Sequence, residues 1–392
     1  MKRLPPYVIA EVNAMRHAAR QSGQDIIDLG MGNPDLPPPQ HVIDKLCEVA
    51  QKPDAHGYSQ SKGIPGLRRA QANYYGRRFN VDLDPETEVV VTLGSKEGLA
   101  SLATAITAPG DTVLSPNPCY PIHTFGFIIA GASICSVPTT PDEHYWAALE
   151  RAMHFTVPRP TVLIVNFPSN PTAETVDLAF YERLVAWAKE NQIWVLSDLA
   201  YSELYYDGNP TPSILEVPGA KDVAVEFTSM SKTYSMAGWR MGFAVGNRKL
   251  INALMRVKSY IDYGAFTPIQ AAAVAALNGP QDIIENNREL YRKRRDVMVE
   301  AFGRAGWDIP SPKASMFAWA PLPPQLKDMG SLEFSKQLLT HAGVAVAPGV
   351  GYGEDGEGFV RIAMVENEQR LRQAARNVKR YLVSMGVNTS AA

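Results

Sequence analysis

The chain has 392 residues, 45% apolar and 20% charged, with a formal net charge of −2 at pH 7. That length suffices for two domains with sizeable cores, and the charge balance gives no electrostatic reason for nucleic acid or an anionic membrane as a partner. Three cysteines (Cys47, Cys119, Cys135) without a C-x-x-C pair, seven scattered histidines and no apolar run of about 18 residues argue against a disulfide scaffold, a zinc site and a spanning helix. The expectation is a reduced protein of the cytoplasm.

In chain order, "MKRLPPYVIAEVNAMR" has an apolar run too short and too interrupted for a signal peptide. Residues 34–39 hold four prolines around Asp35 and Leu36, which predicts an extended link. Residues 1–40 are therefore expected to form an arm that completes a smaller domain. From 88 to 247, short β-rich runs alternate with helical patterns. The strands are "EVVVTLG" (88–94), "DTVLSP" (111–116), "SICSVPT" (133–139), "TVLIVNFP" (161–168), "QIWVLSD" (192–198), "VAVEFTSMS" (223–231) and "MGFAVG" (241–246). Nearly continuous Val, Ile, Leu and Phe marks strands covered on both faces. The alternation predicts an α/β fold: a mostly parallel seven-stranded sheet flanked by helices, within a large domain over 41–278. A long polar helix near 280–303, short strands with Gly and Pro between them and a closing helix near 367–384 predict a smaller α+β domain over 279–392. The basic run "RELYRKRRD" (288–296) has acids on either side at helical spacing and reads as a solvated helix face.

Ligands of open α/β sheets gather outside the carboxyl ends of the strands. There "GSKEG" (94–98) opens a helix, so the N–H groups of Gly94, Ser95 and Lys96 lie at the positive end of its dipole, where a phosphate binds well; a plain helix cap is the competing reading. Asp198 ends "IWVLSD", either as a cap or as a half-buried carboxylate with a cationic partner. "NFPSNPT" places Asn166 and Asn170 in turn chemistry. "SMSK" ends another strand with two hydroxyls and an amine. Several strand ends carrying hydrogen-bonding groups together outweigh any single one.

"SMSKTYSMAGWRMG" (229–242) resembles the lysine motif of the fold type I, class I and II aminotransferases that use pyridoxal 5′-phosphate. The resemblance runs from "GMGNPD" (30–35) to "FVRIAM" (359–364), and "RLPPYV" with "YIDYGAFTP" (260–268) makes it nearest to the bacterial alanine (glutamate–pyruvate) aminotransferases. It implies that Lys232 forms the Schiff base with the cofactor aldehyde. Arg240 and Ser229 would then contact the cofactor phosphate, with Gly94, Ser95 and Lys96 as its amide cup. Asp198 would face the pyridine nitrogen, Tyr201 and Asn170 the ring hydroxyl, and Tyr120 the ring face. Tyr58 would reach the phosphate of a neighbouring subunit in a homodimer. Arg361 would grip the substrate carboxylate, with Asn170 and the Gly32 backbone close to it. Tyr7, Tyr260 and Tyr263 are candidates for the pocket lining, with core or interface as the plainer expectation; Ser231 is read as structural.

The residue types suit that chemistry. A carbanion at Cα is dispersed into the ring only while the ring nitrogen stays protonated, which an ionised Asp198 favours. A lysine amine attacks the aldehyde and then moves a proton; arginine stays protonated and does neither. The fork of Arg361 suits two-point recognition of a carboxylate. Alanine with 2-oxoglutarate or pyruvate is the expected substrate set. The same motifs fit aminotransferases for LL-diaminopimelate, aromatic amino acids or methionine, and a carbon–sulfur lyase on the same fold. A non-catalytic regulator would need a DNA-binding module, for which no basic recognition helix is present.

Overall fold

The structure is a computed structural model that describes residue 4 and residues 8–387. Along the chain its strands are β1 (Ile27–Asp28), β2 (Val89–Thr92), β3 (Thr112–Asn117), β4 (Ser133–Pro138), β5 (Val162–Val165) and β6 (Trp194–Asp198). They continue with β7 (Ala224–Ser229), β8 (Gly242–Gly246), β9 (Phe317–Pro321), β10 (Val344–Ala345), β11 (Ala347–Pro348) and β12 (Phe359–Ala363).

Seven of these form one sheet in the order β2-β8-β7-β6-β5-β3-β4. Every pairing is parallel except the two made by β8. The continuous apolar runs have the expected cause. Val89, Val91, Leu163 and Val165 point into one apolar cluster, while Val90, Val162 and Ile164 point into another on the opposite face. Crossover helices Glu143–Phe155 and Leu178–Asn191 begin at Asp142 and Asp177, whose carboxylates accept from Tyr145 N at 3.1 Å and Phe180 N at 2.9 Å.

A separate core lies between the antiparallel sheet β11-β12-β9 and the helices Asp282–Gly303 and Glu368–Ser384. Ile27 and Leu29 belong to it, because β1 pairs in parallel with β10, Ile27 opposite Val344. Residues 31–39 contain no helix or strand, in keeping with their prolines. The helix Val8–Gln21 ahead of them has no counterpart among the sequence expectations. It is keyed to β1 by an ion pair between its Arg16 and Asp28. Among the described residues, no helix is long and apolar enough to cross a membrane, and no group of three or more His, Cys, Asp or Glu side chains is placed to hold a metal ion.

Candidate active site

The reversed direction of β8 decides which residues meet. Thr92 and Ser229 both lie opposite Gly242 in register, so the amino end of β8 sits beside the carboxyl ends of its neighbours. Arg240, two residues before that end, therefore reaches the same rim as Gly94, Asp198 and Ser229. Such a rim is where open α/β sheets collect ligands.

A cavity of about 270 Å³ opens there. Its lining includes Gly32, Ser95, Lys96, Tyr120, Asn170, Asp198, Tyr201, Ser229, Lys232, Arg240 and Arg361. One of these side chains is a carboxylate and four are cationic types, which makes the cavity a receptor for anions.

Lys232 stands on the short helix Met230–Thr233, capped by Ser229, whose hydroxyl accepts from Ser231 N at 3.2 Å. Its Nζ donates to the Gly32 carbonyl at 2.6 Å. Burial first, then the Arg361 and Arg240 guanidiniums, lower its ammonium to a pKa of about 7. An amine poised there is neutral often enough near pH 7 to act as nucleophile or base. A side chain at Gly32 would overlap the Phe317 ring, so only glycine brings this carbonyl to the amine.

Asp198 ends β6 and is buried. Its Oδ1 accepts from Ala200 N at 3.3 Å, while Oδ2 lies 2.9 Å from Nε2 of the fully buried His123. Burial by itself pushes the His123 imidazole down, but Asp198 hydrogen bonding and the nearby Cys119 outweigh it and raise the pKa to about 9. The imidazole of His123 therefore holds its proton against the Asp198 side chain. Asn166 holds the turn behind it, donating to the Asp198 carbonyl at 2.7 Å and accepting from Asn170 N at 2.8 Å. Tyr201 packs edge-on against Phe317 at 5.6 Å, and burial pushes its hydroxyl well above the ordinary tyrosine range.

Arg361 lies mid-strand in β12, where Val360 and Ile362 point into the core and Arg361 points the other way. Its Nη1 donates to Asn170 Oδ1 at 2.8 Å and Nη2 to the Gly30 carbonyl at 3.0 Å. The guanidinium lies 3.9 Å over the Phe317 ring, and Nε is buried without an acceptor. That leaves a rigidly aimed cation with donor capacity unspent.

Gly94 has φ 84° and precedes the helix Ser95–Ile106, whose first N–H groups lack intrahelical acceptors. A side chain on Gly94 would overlap the Arg240 guanidinium, so amides and guanidinium converge on one spot. The chemistry of this donor set fits a phosphate. Gly242 lets β8 approach it: a Cβ there would stand 2.8 Å from Ser95 N and 2.9 Å from Gly94 C. Gly242→Ala is expected to destabilise the fold by about 1–3 kcal/mol through this backbone collision, measured by thermal denaturation. An unchanged melting temperature would show that the rim yields freely.

Not every expected residue lines this cavity. Tyr58 is 88% exposed and lies against Tyr263, ring centres 4.5 Å apart. Tyr260 and Tyr263 are exposed too, which removes the core as their place; Tyr7 lies outside the described residues. Ser231, expected to be structural, does line the cavity, as do Ile9, Asn13, Met31, Phe317 and Tyr352. His123 carried one unused signal: it follows Tyr120 by three residues at a helix start, and the two rings meet edge-on at 5.9 Å. Phe317 and Tyr352 arrive from distant segments by tertiary packing, with no local signal.

Comparison with known proteins fits this geometry. A family model for aminotransferase class I and II matches residues 24–378. The chain is 64% identical to AatC of Rhizobium meliloti (strain 1021), covering 98% of this chain and 95% of that one. It is 54% identical to the glutamate-pyruvate aminotransferase AlaC of Escherichia coli (strain K12), over 96% and 92% of the two chains. Identity is 42% with an LL-diaminopimelate aminotransferase of Moorella thermoacetica (strain ATCC 39073 / JCM 9320), over 97% of each. Among solved structures, a double mutant of Thermus thermophilus aspartate aminotransferase superposes with a TM-score of 0.89 at 30% identity, over 97% of this chain and 99% of that one. The cofactor of this family is pyridoxal 5′-phosphate, for which the cavity has an amine, a carboxylate and an anion cup. The buried amine, the carboxylate at the end of β6 and the match along nearly the whole chain agree: the protein belongs to the class I and II aminotransferases.

Proposed function

We propose that this aminotransferase moves an amino group between L-alanine and 2-oxoglutarate, giving pyruvate and glutamate. The observation that carries amino transfer is the Lys232 amine in the cavity wall, lowered by burial and by the Arg361 and Arg240 guanidiniums to a pKa of about 7. Alanine as donor draws support from the likeness to AlaC. An alanine side chain asks for no charged partner, and Arg361 alone satisfies its carboxylate.

When bound, pyridoxal 5′-phosphate supplies a carbonyl for the amino group and a ring that accepts electron density from Cα. The chain's residues do the rest. Gly94, Ser95, Lys96, Ser229 and Arg240 would hold the phosphate, Tyr120 would cover the ring face, and Tyr201 with Asn170 would face the ring hydroxyl. Asp198, hydrogen-bonded to His123, would face the ring nitrogen and favour its protonated form. Arg361, braced by Asn170 and Gly30, would clamp the substrate carboxylate near Gly32 and so fix the orientation of the substrate Cα. The Lys232 amine would take the proton from the substrate Cα and deliver it to the carbon that was the cofactor's aldehyde, so that the amino group stays with the cofactor when the oxo acid leaves. Lys96, 5.7 Å from the Tyr120 ring, is the remaining cation in the lining and suits the second carboxylate of 2-oxoglutarate.

Tyr58, exposed and outside the lining of its own chain's cavity, is assigned to the neighbouring subunit's phosphate in a homodimer. The large domain over 41–278, with the rest of the chain completing a small one, is part of the same proposal. Free thiols at Cys47, Cys119 and Cys135 suit the reducing cytoplasm.

The test is a half-reaction screen. The yellow enzyme is mixed with single amino acids, and conversion of the aldehyde form to the amine form is followed by absorbance. Alanine should convert it fastest; faster conversion by LL-diaminopimelate would move the assignment to that activity, which the Moorella relative is named for. Release of pyruvate and sulfide from a cysteine-type substrate, without amino transfer, would point to a lyase.

A pH dependence follows from Lys232. Only the neutral amine attacks an aldehyde, so uptake of pyridoxal 5′-phosphate by the cofactor-free protein should accelerate as pH rises through about 7 and then level off. Stopped-flow absorbance checks it. Acceleration continuing to pH 10 would mean that the amine is not depressed.

A further inference from the structure

The stretch "KSYIDYGAF" (258–266) has no part in the site described above, yet it contains a lysine with no exposed surface. The Lys258 ammonium is taken up by two carboxylates, Glu97 Oε2 at 3.2 Å and Asp262 Oδ2 at 2.7 Å. A charge so fully removed from water persists only where its partners are well placed. These partners lead in opposite directions.

Glu97 belongs to the first turn of the helix Ser95–Ile106. Its Oε2 also accepts from Leu93 N at 2.8 Å, and its Oε1 accepts from Ser101 Oγ at 2.7 Å. It therefore pins the chain on both sides of Gly94, Ser95 and Lys96. Asp262 ends the helix Arg248–Ile261, and its Oδ1 accepts from Gly264 N at 2.7 Å. Its carbonyl accepts from Ser61 Oγ at 2.5 Å, which ties it to the loop that carries Tyr58. Between these anchors Tyr263 lies against Tyr58.

We propose that Lys258 is a positioning residue that braces the phosphate cup against the exposed Tyr58–Tyr263 edge, so that retention of the phosphorylated cofactor depends on this buried ion triad. This rests on Gly94, Ser95 and Lys96 being the cup. A lysine–carboxylate pair one helical turn apart, Lys258 and Asp262, fixes the end of its helix; the third member, Glu97, carries that rigidity to the amides.

The experiment titrates the full-length, cofactor-free protein with pyridoxal 5′-phosphate and with pyridoxal, which lacks the phosphate. Lys258→Met is expected to weaken binding of the phosphorylated aldehyde about tenfold and that of pyridoxal less than about twofold. Glu97→Gln and Asp262→Asn, which keep the side chain's shape and one acceptor oxygen but remove the charge, should lower the same preference and carry the test if Lys258→Met does not fold. Equal weakening of both aldehydes would overturn the role, since it would mark general loosening, as would an unchanged preference in the carboxylate variants. Wild-type protein that binds both aldehydes alike would count against the cup itself; a wild-type preference retained in the variants counts against Lys258 alone.

Discussion

Lys232→Ala is expected to lower the half-reaction with any amino acid by at least about 10⁴-fold, because nucleophile and proton carrier disappear together. Absorbance-followed single-turnover kinetics measures it, and a loss below tenfold would remove Lys232 from the chemistry. The same variant has an unusual stability signature. The folded pKa of Lys232 is about 7 against an ordinary 10.5, so the folded state binds fewer protons than the unfolded state between those values. Stability of the cofactor-free wild type should therefore rise with pH across this window. The penalty for the buried amine is present in full below pH 7 and is gone above 10.5. Lys232→Ala carries no such penalty. The variant should melt higher than the wild type at pH 7, with the gap closing as pH approaches 10.5.

Asp198→Asn is expected to keep the cofactor and lose about 10³-fold in turnover, since an amide preserves the shape but not the charge that favours a protonated ring nitrogen. It should also release His123. The imidazole is held at about 9 against its own burial chiefly by the hydrogen bond to Asp198; without that anion, burial prevails and the pKa drops. Proton NMR titration of the cofactor-free variant reads the second effect independently of activity. Wild-type turnover would take Asp198 out of the mechanism, and an unmoved His123 would show that Cys119 and its surroundings set the proton.

Much of this site is legible in the sequence because strand ends are both local and chemical. A run such as "IWVLSD" states its own burial and then places a carboxylate where the strand stops, and "GSKEG" does the same with a helix start. The family likeness adds roles that spacing leaves open, above all for Arg361. What stays hidden depends on how separate pieces pack. Nothing near Lys258 in the sequence names Glu97, which lies on another helix, and nothing near Phe317 shows that it seats the Arg361 guanidinium. The helix Val8–Gln21 is hidden for a related reason: its ion pair is made with β1, beyond the turn at its own end. Arg240 is the converse case. It follows the short 3-10 helix Ala237–Trp239, yet the antiparallel run of β8 carries it to the rim beside Gly94.

The pairing of β1 with β10 has a consequence for how the polypeptide matures. Ile27 and Leu29 leave the ribosome early, but their partners around Val344 emerge near the end of translation. The central sheet, whose strands follow one another closely, is complete long before then and folds first. During that interval the Gly30 carbonyl lacks its donor, because Arg361 has not been made. With the roles proposed above, the residues for the cofactor phosphate are assembled in a nascent chain before the arginine for the amino-acid carboxylate exists, so vitamin capture should precede substrate recognition in the life of each molecule.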